Sequence, residues 1–314
     1  MRVFLTGGTG SLGHAILKWA TQEHPDWKFT IYSRDEFKQG ELRSLYPEHQ
    51  YILGDIRNEA WLRIAMTGHD AVIHTAAYKH VPQAESNVAE AVEINVIGSR
   101  NIARIAVELE IPKVVGISTD KACAPINTYG MTKALMEKLF AHACLWGNTE
   151  FRCVRYGNVL GSRGSVLPIF QEQYRTKGYV TMTDPTMTRF WLTLGDAVDL
   201  VMLGLNDPDP GVVIVPKAKA CTMGTLVKGI ADDCEMVIIG IRPGERINER
   251  LIHVGEAIYT EDCGEVFKVW PAYSGHFGSM DGNFEYRSDQ AQQLSIEEMR
   301  SMIKEATDGP QETE

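Results

Sequence analysis

The chain has 314 residues, enough to bury a large core in one large or two moderate domains. It carries 31 Lys and Arg against 41 Asp and Glu, a formal net charge of −10, which argues against a general nucleic-acid or anionic-membrane surface. No apolar run approaches the roughly 20 residues of a membrane-spanning helix. The six cysteines are widely spaced without a C-x-x-C pair, which favours reduced thiols over disulfides or a metal site. We therefore expect a cytoplasmic protein, and no signal peptide because an apolar strand starts at residue 2 or 3.

The first predicted elements are a short strand at residues 3–6, a glycine-rich turn and a helix to about residue 19. At the start of a βαβ unit, this arrangement is the fingerprint of dinucleotide binding. Gly7 permits the tight turn, Gly10 lets the backbone approach a pyrophosphate, and Gly13 lets the helix pack on the sheet. The helix N-terminus adds free N–H groups. The predicted cofactor-binding residues of the turn are Gly7, Thr9, Gly10, Ser11, Leu12 and Gly13.

Further apolar strands alternate with helical stretches. They are predicted at residues 29–33, 51–55, 71–75, 113–118, 151–156 and 212–215. Such alternation indicates an α/β fold, a doubly wound parallel Rossmann sheet, with ligands at the carboxyl ends of the strands. We expect the dinucleotide-binding part to comprise 1–157 with 192–220 returning to it. A smaller, interleaved substrate-binding lobe would comprise 158–191 and 221–314.

The end of the second strand bears on the cofactor type. A carboxylate at this distance from the glycines would hold a ribose 2′-hydroxyl, but Ser33 and Arg34 come first here. A hydroxyl and a guanidinium suit a 2′-phosphate, so NADP is favoured over NAD. In the alternative interpretation, Arg34 only pairs with Asp35 or Glu36 on a solvated turn.

Other cofactor contacts are predicted after the third and fourth strands. Asp55 is expected to accept a hydrogen bond from the adenine amino group, with an Asx turn as the alternative. Ala76 and Ala77 would let the backbone approach the cofactor, although two alanines are also a common helix start. The remaining predicted cofactor-binding residues are Ile56, Lys79 and Asn95.

The strongest catalytic pattern is Ser118-Thr119-Asp120-Lys121, followed by Tyr129 and Lys133. Tyr129 and Lys133 are four residues apart and share a helix face. An ammonium group beside a phenol lowers the pKa of the phenol, which then accepts a proton near neutral pH. An ordinary exposed i,i+4 pair is the alternative, but the position after a strand end favours a site.

Together these stretches resemble the extended short-chain dehydrogenase/reductase family, and within it the inverting UDP-N-acetylglucosamine 4,6-dehydratases and their polysaccharide-biosynthesis relatives. The similarity covers most of residues 1–250 and fades after about residue 255. The stretches that carry it are residues 32–36, 74–82, 118–122, 155–166, 187–191 and 242–245, together with the glycine turn and Tyr129-x-x-x-Lys133.

The resemblance implies a redox-neutral elimination. Tyr129 would take the proton of the sugar 4-hydroxyl while hydride leaves C-4, and Lys133 would lower the pKa of the phenol and hold the nicotinamide ribose. Thr119, in preference to Ser118, would bind the 4-oxygen. A partly neutral Lys121 would then remove the C-5 proton, and a protonated Asp120 would donate to the departing 6-hydroxyl.

Lysine at position 121 implies the inverting subgroup, because retaining relatives carry Asp-Glu at positions 120 and 121. The alternative for this pair is a salt-bridged surface loop. Other functions left open are a nucleotide-sugar 4-epimerase, a 5,6-dehydratase and a non-catalytic NADP-sensing regulator.

The substrate, a UDP-sugar, is expected in the second half of the chain. Arg189 and Arg242 are the predicted partners of the diphosphate, because a planar guanidinium matches phosphate oxygens. Glu245 would bind a ribose diol. Both arginines have an alternative role in pairing with acidic residues, and 242–245 also reads as a turn and helix cap. The remaining predicted substrate-binding residues are Lys79, Asn158, Ser165 and Val166.

Two apolar-faced helices, near 84–107 and 122–146, would pair subunits in the resembled family, which implies a homo-oligomer. An intramolecular core face is the alternative.

Overall fold

The computed structural model of the chain describes residues 1–242 and 244–308, so Pro243 and residues 309–314 of the predicted lobe lie outside the described part. Its strands are β1 (Arg2–Thr6), β2 (Lys28–Ser33), β3 (Gln50–Leu53), β4 (Ala71–His74), β5 (Lys113–Ile117), β6 (Glu150–Val154), β7 (Asn158–Val159), β8 (Tyr179–Met182), β9 (Thr188–Leu192), β10 (Val213–Pro216), β11 (Ala220–Thr222), β12 (Glu235–Ile238), β13 (Arg250–Ile252), β14 (Thr260–Asp262), β15 (Val266–Val269) and β16 (Tyr286–Arg287). Its α-helices are α1 (Ser11–Glu23), α2 (Glu36–Leu45), α3 (Glu59–Met66), α4 (Val81–Ser86), α5 (Val88–Val92), α6 (Ser99–Glu108), α7 (Thr128–Ala143), α8 (Val166–Lys177), α9 (Leu194–Asn206), α10 (Met223–Ile230) and α11 (Ile296–Asp308).

The main sheet has nine strands in the order β14-β15-β10-β6-β5-β4-β1-β2-β3. From β3 to β10 every neighbouring pair is parallel, whereas β15 and β14 are added antiparallel at one edge. The predicted α/β fold with a large parallel sheet is confirmed. The strand order reverses between β1 and β4, and the carboxyl ends of the strands at such a point form a ligand-binding crevice.

The core explains why the strands are continuously apolar. Val3, Phe4 and Leu5 of β1 are completely buried, because helices cover both faces of the sheet. Helix α1 buries Gly13, Ile16, Leu17 and Ala20, which recur at helical spacing on one face. Among the described residues, no helix combines the length and the apolar character needed to cross a bilayer.

A second hydrophobic cluster lies outside the main sheet. It includes Leu167 and Phe170 of α8, Leu226 of α10, and Met299 and Ile303 of α11. It thus draws on both segments of the predicted lobe. One part of the expected division differs from the structure, because β14 and β15 belong to the main sheet.

The two helices expected at 84–107 and 122–146 are shorter than predicted. The first is interrupted at Asn87 and contains a π-helical turn at Glu93–Gly98. The second begins at Thr128, because the Asn127 side chain caps it by accepting from the Gly130 N–H at 2.8 Å. A separate 3₁₀ turn, Asp120–Ala122, precedes it and carries the predicted catalytic residues.

Candidate active site

A cavity of about 1290 Å³ opens at the carboxyl ends of β1, β2, β4 and β5. Most of the predicted site residues share its wall. They are Gly7, Thr9, Gly10, Ser11, Leu12, Gly13, Ser33, Arg34, Asp55, Ile56, Ala76, Ala77, Lys79, Thr119, Lys121, Tyr129, Lys133, Asn158 and Ser165.

The glycine turn, residues 7–13, forms a cradle in which the neighbouring backbone leaves no room for side chains at Gly7 and Gly13. Gly7 has φ +66°, and a Cβ there would lie 2.8 Å from the Ala76 backbone. A Cβ on Gly13 would lie 2.2 Å from the Gly8 carbonyl oxygen. Gly10 is the N-cap of α1 without a side-chain hydrogen bond, so N–H groups of the first turn point outward. These residues fit the pyrophosphate of a dinucleotide.

Cationic and hydroxyl groups lie together in the part of the cavity next to the end of β2. Arg34 lies 3.8 Å from Asp55, whereas the Asp35 carboxylate caps α2 by accepting from the Lys38 N–H at 3.0 Å. The predicted alternative in which Arg34 pairs with Asp35 or Glu36 is therefore not observed. Ser33 Oγ accepts from Gln39 Nε2 at 3.0 Å. Lys38 also lines the cavity, a contribution that the sequence analysis missed.

Asp55 adopts the Asx turn that was the alternative to adenine binding. Its Oδ1 accepts from the Arg57 N–H at 2.9 Å, and its Oδ2 pairs with Arg57 Nη2 at 2.6 Å. The side chain still lines the cavity. Burial would raise the pKa of Asp55, but the Arg57 hydrogen bonds outweigh it, with Arg34 adding to them, and the pKa is lowered.

Asn95, predicted to contact the cofactor, hydrogen-bonds neighbouring protein groups, and its contact with the cofactor stays a prediction. Its Oδ1 accepts from the Tyr78 N–H at 2.7 Å, and its Nδ2 donates to the Tyr78 carbonyl and Thr132 Oγ1, each at 3.0 Å. These bonds use its polar atoms, and Asn95 is absent from the cavity wall. It instead fixes the backbone beside Lys79.

Thr119, Asp120 and Lys121 form one hydrogen-bonded unit. Asp120 Oδ1 accepts from Thr119 Oγ1 at 2.8 Å and from Lys121 Nζ at 3.0 Å. Its other carboxylate oxygen is buried and has no hydrogen-bond partner among the described residues. Asp120 lies behind the cavity wall, whereas Thr119 and Lys121 form part of it.

The expected effect of Lys133 on Tyr129 does not appear in the structure. Burial raises the pKa of Tyr129 to about 12, and the groups that oppose this shift are the Lys121 ammonium and the Thr119 hydrogen bond. Lys133 Nζ instead lies 2.9 Å from Met136 Sδ. Burial lowers the pKa of Lys133 to about 8, although Cys153 and Glu137 oppose this change.

The expectation that Lys121 is partly neutral is also wrong. Burial alone would lower the pKa of its amine, but the carboxylates of Asp120 and Glu249 outweigh burial and the pKa is raised. Glu249 Oε1 lies 3.8 Å from Lys121 Nζ. Sequence reasoning missed this acidic partner because it is 128 positions along the chain from Lys121.

Gly130 fixes the distance between the catalytic turn and α7. A Cβ at this position would lie 2.0 Å from the Lys121 carbonyl oxygen. Only glycine therefore allows the turn that carries Lys121 to pack against the helix that carries Tyr129. No pattern in the sequence distinguished this glycine from others.

We expect Gly130→Ala to displace Lys121 and lower kcat by about 10²-fold, because a shift near 1 Å is costly to catalysis. Cofactor affinity should change little, since the glycine turn is remote. Steady-state turnover and cofactor titration measure the two quantities. Gly40→Ala in α2 is the matched control, because no atom lies within 4 Å of its added Cβ. Wild-type turnover by Gly130→Ala would show that the contact is not limiting.

A buried ion network lies next to the segment that leads into the turn Asp120–Ala122. Arg155 donates to Glu137 at 2.6 Å and 2.9 Å and to Glu256 at 2.8 Å and 2.9 Å. Glu137 Oε1 also accepts from Ser118 Oγ at 2.5 Å. This bond uses the Ser118 hydroxyl proton, just as the bond to Asp120 uses that of Thr119, and both residues line the cavity.

We expect Arg155→Met to reduce the free energy of unfolding by about 3–5 kcal/mol, because two buried carboxylates lose their partner. Urea unfolding at pH 7 measures this loss. Burial would raise the pKa of Glu256, but Arg155 outweighs it and the pKa is lowered. The contribution of this pair is therefore complete above the unfolded pKa of 4.5 and is lost as the pH falls through the lowered folded value. Arg175→Met, at an exposed pair with Glu172, should change stability little. Equal losses in the two variants would contradict the role of the network.

Two predicted substrate residues offer unused polar atoms to the cavity. Asn158 Oδ1 and Ser165 Oγ are buried without hydrogen-bond partners among the described residues. Between them Arg163 crosses the glycine turn, with its Nη2 donating to the Thr9 carbonyl at 2.8 Å. Lys79 Nζ donates to the Arg163 carbonyl at 2.9 Å. The sequence analysis left Arg163 out of the site, although it lines the cavity.

Four other predicted substrate residues, Arg189, Arg242, Glu245 and Val166, do not line this cavity, and their contact with a substrate stays a prediction. Arg189 donates to the carbonyls of Thr188, Ile247 and Arg246 at 2.8, 3.1 and 3.0 Å. The Glu245 carboxylate accepts from the Arg242 N–H at 3.2 Å, as in the turn that was the alternative. Val166 begins α8.

Comparison with known proteins gives consistent matches. The chain is 38% identical over 276 residues to a UDP-N-acetylglucosamine 4,6-dehydratase (inverting) of Campylobacter jejuni, covering 86% of this chain and 83% of the relative. It is 35% identical to a UDP-glucose 4-epimerase of Rickettsia akari, covering 96% of this chain and 94% of the relative. The crystal structure of Pen from Bacillus thuringiensis superposes with a TM-score of 0.90 at 32% identity, covering 98% of both chains. Residues 3–271 match the polysaccharide biosynthesis protein family, and the chain belongs to this family.

Proposed function

We propose that this protein catalyses the NADP-dependent 4,6-dehydration of a UDP-N-acetylhexosamine, UDP-N-acetylglucosamine, with inversion at C-5. The observation that carries the proposal is the presence of Thr119, Lys121, Tyr129 and Lys133 on the wall of the cavity that also contains the glycine cradle. A Campylobacter jejuni relative named for this reaction, at 38% identity, supports it.

In the first half-reaction Tyr129 accepts the proton of the sugar 4-hydroxyl. A bound NADP would supply the acceptor for hydride from C-4 and the donor for its return to C-6, and a proton delivered to the opposite face of C-5 would complete the product. A pKa of about 12 makes Tyr129 a reluctant base near neutral pH. The Lys121 ammonium and the Thr119 hydroxyl, which both oppose that raised pKa, stabilise the phenolate when the proton leaves.

In the second half-reaction Lys121 accepts the C-5 proton, which the 4-ketone acidifies. The amine must first lose its own proton. Asp120 lies 3.0 Å from it and can accept that proton. If Asp120 takes that proton, it becomes the acid that protonates the departing 6-hydroxyl. Its unpartnered Oδ2 gives the carboxyl group an oxygen on which a proton can reside.

Product analysis tests the reaction. Purified protein with NADP and UDP-N-acetylglucosamine should give a keto-sugar nucleotide lighter by one water, with an altered C-5 in the proton NMR spectrum. No external reductant should be consumed. A product of unchanged mass with an inverted C-4 would contradict the proposal.

That second product would identify a 4-epimerase, the function named for the Rickettsia akari relative. An epimerase needs the tyrosine and the cofactor but no base for C-5. Lys121 shares the cavity wall with Tyr129, and this placement therefore favours dehydration. A 5,6-dehydratase would give an unsaturated product.

We expect Arg34→Ala to weaken NADP binding by about 10-fold or more while NAD binding changes little, because a charge-assisted contact with a 2′-phosphate contributes about 1.5–3 kcal/mol. Ser33, Arg34 and Lys38 supply the hydroxyl and cations at this end of the cavity. Titration of both cofactors by calorimetry measures the change. Arg43→Ala, on the same helix as Lys38, is the matched control. Wild-type preference for NAD would overturn the assignment of NADP.

A further inference from the structure

Glu249 is a buried acid that the mechanism above does not use. It is 5% exposed and immediately precedes β13. Its N–H donates to Ser288 Oγ at 2.9 Å, and its carbonyl accepts from the Ser288 N–H at 3.0 Å. Ser288 in turn contacts Thr188 Oγ1 at 2.6 Å. The backbone that carries Glu249 is therefore anchored between β9 and β16.

The carboxylate of Glu249 faces two cations. Its Oε1 lies 3.8 Å from Lys121 Nζ and 3.8 Å from Arg189 Nε. Asp120 binds the same ammonium at 3.0 Å. Lys121 thus extends between two acids, one from its own turn and one from a segment distant in sequence.

The position of Glu249 separates it from reacting atoms. It lines a small cavity of about 10 Å³, shared with Lys121, Asn127 and Arg246, whereas it is absent from the wall of the large cavity. Among the described residues, Lys121 alone lines both cavities. Lys121 therefore links Glu249 to the large cavity.

We propose that Glu249 is a positioning residue for Lys121, which holds the amine opposite Asp120 and sets the pH at which that amine becomes a base. Its role in catalysis rests on the proposed dehydration. The charged and titratable groups that face Lys121 are Asp120, Glu249, Arg189 and Tyr129, and those that face Glu249 are Lys121, Asp120, Arg189 and Arg246.

The sign of the effect follows from the charges. Burial, with Asp120 adding to it, raises the pKa of Glu249, whereas the cations of Lys121, Arg189 and Arg246 oppose that rise. In the alkaline range where an amine loses its proton, an ionised Glu249 stabilises the ammonium form of Lys121. Glu249→Gln removes that charge but retains the shape of the side chain. Asp120 and Arg189 remain in place. The titration of Lys121 should therefore move to lower pH by about 1 unit, the lower end of what an opposite charge at this distance causes.

Acetylation of the amine tests the proposal without requiring turnover. Full-length wild-type and Glu249→Gln proteins are given a brief pulse of acetic anhydride across a pH series, and the peptide containing Lys121 is quantified by mass spectrometry. Only the neutral amine reacts, so at a pH below both midpoints the variant should react about tenfold faster. Superimposed profiles, or a midpoint that moves to higher pH, would overturn the proposal.

Two further variants complete the test. Glu285 Oε1 lies 3.1 Å from Nη1 of Arg250, which is the residue after Glu249. Glu285→Gln removes this carboxylate and should leave the acetylation profile of Lys121 unchanged. An equal shift in that control would overturn a specific role for Glu249. If Glu249→Gln does not fold, Glu249→Asp withdraws the carboxylate by one methylene and should shift the profile in the same direction by less. Superposition of its profile on the wild type would also count against the proposal.

The catalytic readout separates this inference from the proposed function. Solvent deuterium exchange at C-5 should show its acid-side limb moved to lower pH in Glu249→Gln, in parallel with the acetylation profile. A wild-type protein that exchanges no deuterium at C-5 would contradict the dehydratase, whereas the acetylation result would still decide the role of Glu249.

Discussion

Tyr129→Phe should bind NADP and UDP-N-acetylglucosamine with wild-type affinity and form the keto-sugar about 10³-fold more slowly. The substitution removes one hydroxyl, and positioned proton transfer typically contributes 10²–10⁴-fold to a rate. The ring remains to fill the same part of the cavity wall. The loss should therefore fall on kcat rather than on binding.

Single-turnover absorbance measures this step directly, because transient NADPH reports hydride transfer from C-4. Tyr174→Phe is the matched control, since its hydroxyl contacts Asp233 at 2.7 Å on a part of α8 away from the large cavity. Hydride transfer by Tyr129→Phe within about threefold of the wild type would remove Tyr129 from the mechanism. Another base would then have to accept the proton of the sugar 4-hydroxyl.

The pH dependence of that step carries a separate expectation. Burial places the pKa of Tyr129 at about 12, and the base form of a phenol increases with pH. The rate of NADPH appearance should therefore rise through the neutral range. The oxidised nicotinamide is cationic, so a bound cofactor should lower the pKa of the phenol from this raised value.

The sequence was sufficient for those parts of the site that depend on local pattern. The glycines at 7, 10 and 13 and the residues at strand ends could be placed because a parallel sheet gathers its carboxyl ends at one edge. Tyr129 and Lys133 could be placed on one helix face for the same kind of reason. These positions follow from periodicity and from the topology it implies.

Tertiary contacts account for what sequence reasoning missed. Arg189 has the residue type of a phosphate ligand, but three backbone carbonyls engage its guanidinium. Asn95 is committed to the backbone of Tyr78, and Glu249 contacts Lys121 from the residue before β13, which is distant in sequence. Spacing placed Lys133 on the same helix face as Tyr129, but an i,i+4 relation does not specify where a long lysine side chain ends. Met136 and the surrounding core hold Lys133 instead.

The second large expected effect concerns Lys121 and separates its charge from its basicity. Lys121→Ala should retain cofactor and sugar binding but lose solvent deuterium exchange at C-5 by about 10³-fold, because no other amine replaces the base. Incubation in deuterium oxide followed by mass and proton NMR analysis of the product measures this exchange. Lys138→Ala, an exposed lysine on α7, is the control. Full turnover by Lys121→Ala would exclude Lys121 as the base.

Lys121→Arg distinguishes the two roles. Arginine keeps a positive charge near Tyr129 but does not give up its proton at accessible pH, so it cannot act as the C-5 base. Hydride transfer from C-4 should therefore proceed in Lys121→Arg with a pH profile near that of the wild type. In Lys121→Ala the rise of the hydride-transfer rate with pH should move to higher pH, because the Lys121 ammonium no longer opposes the raised pKa of Tyr129. Neither variant should exchange deuterium at C-5. Restored exchange in the arginine variant would mean that position 121 supplies only charge, and the base would then have to be sought among the other groups on the cavity wall.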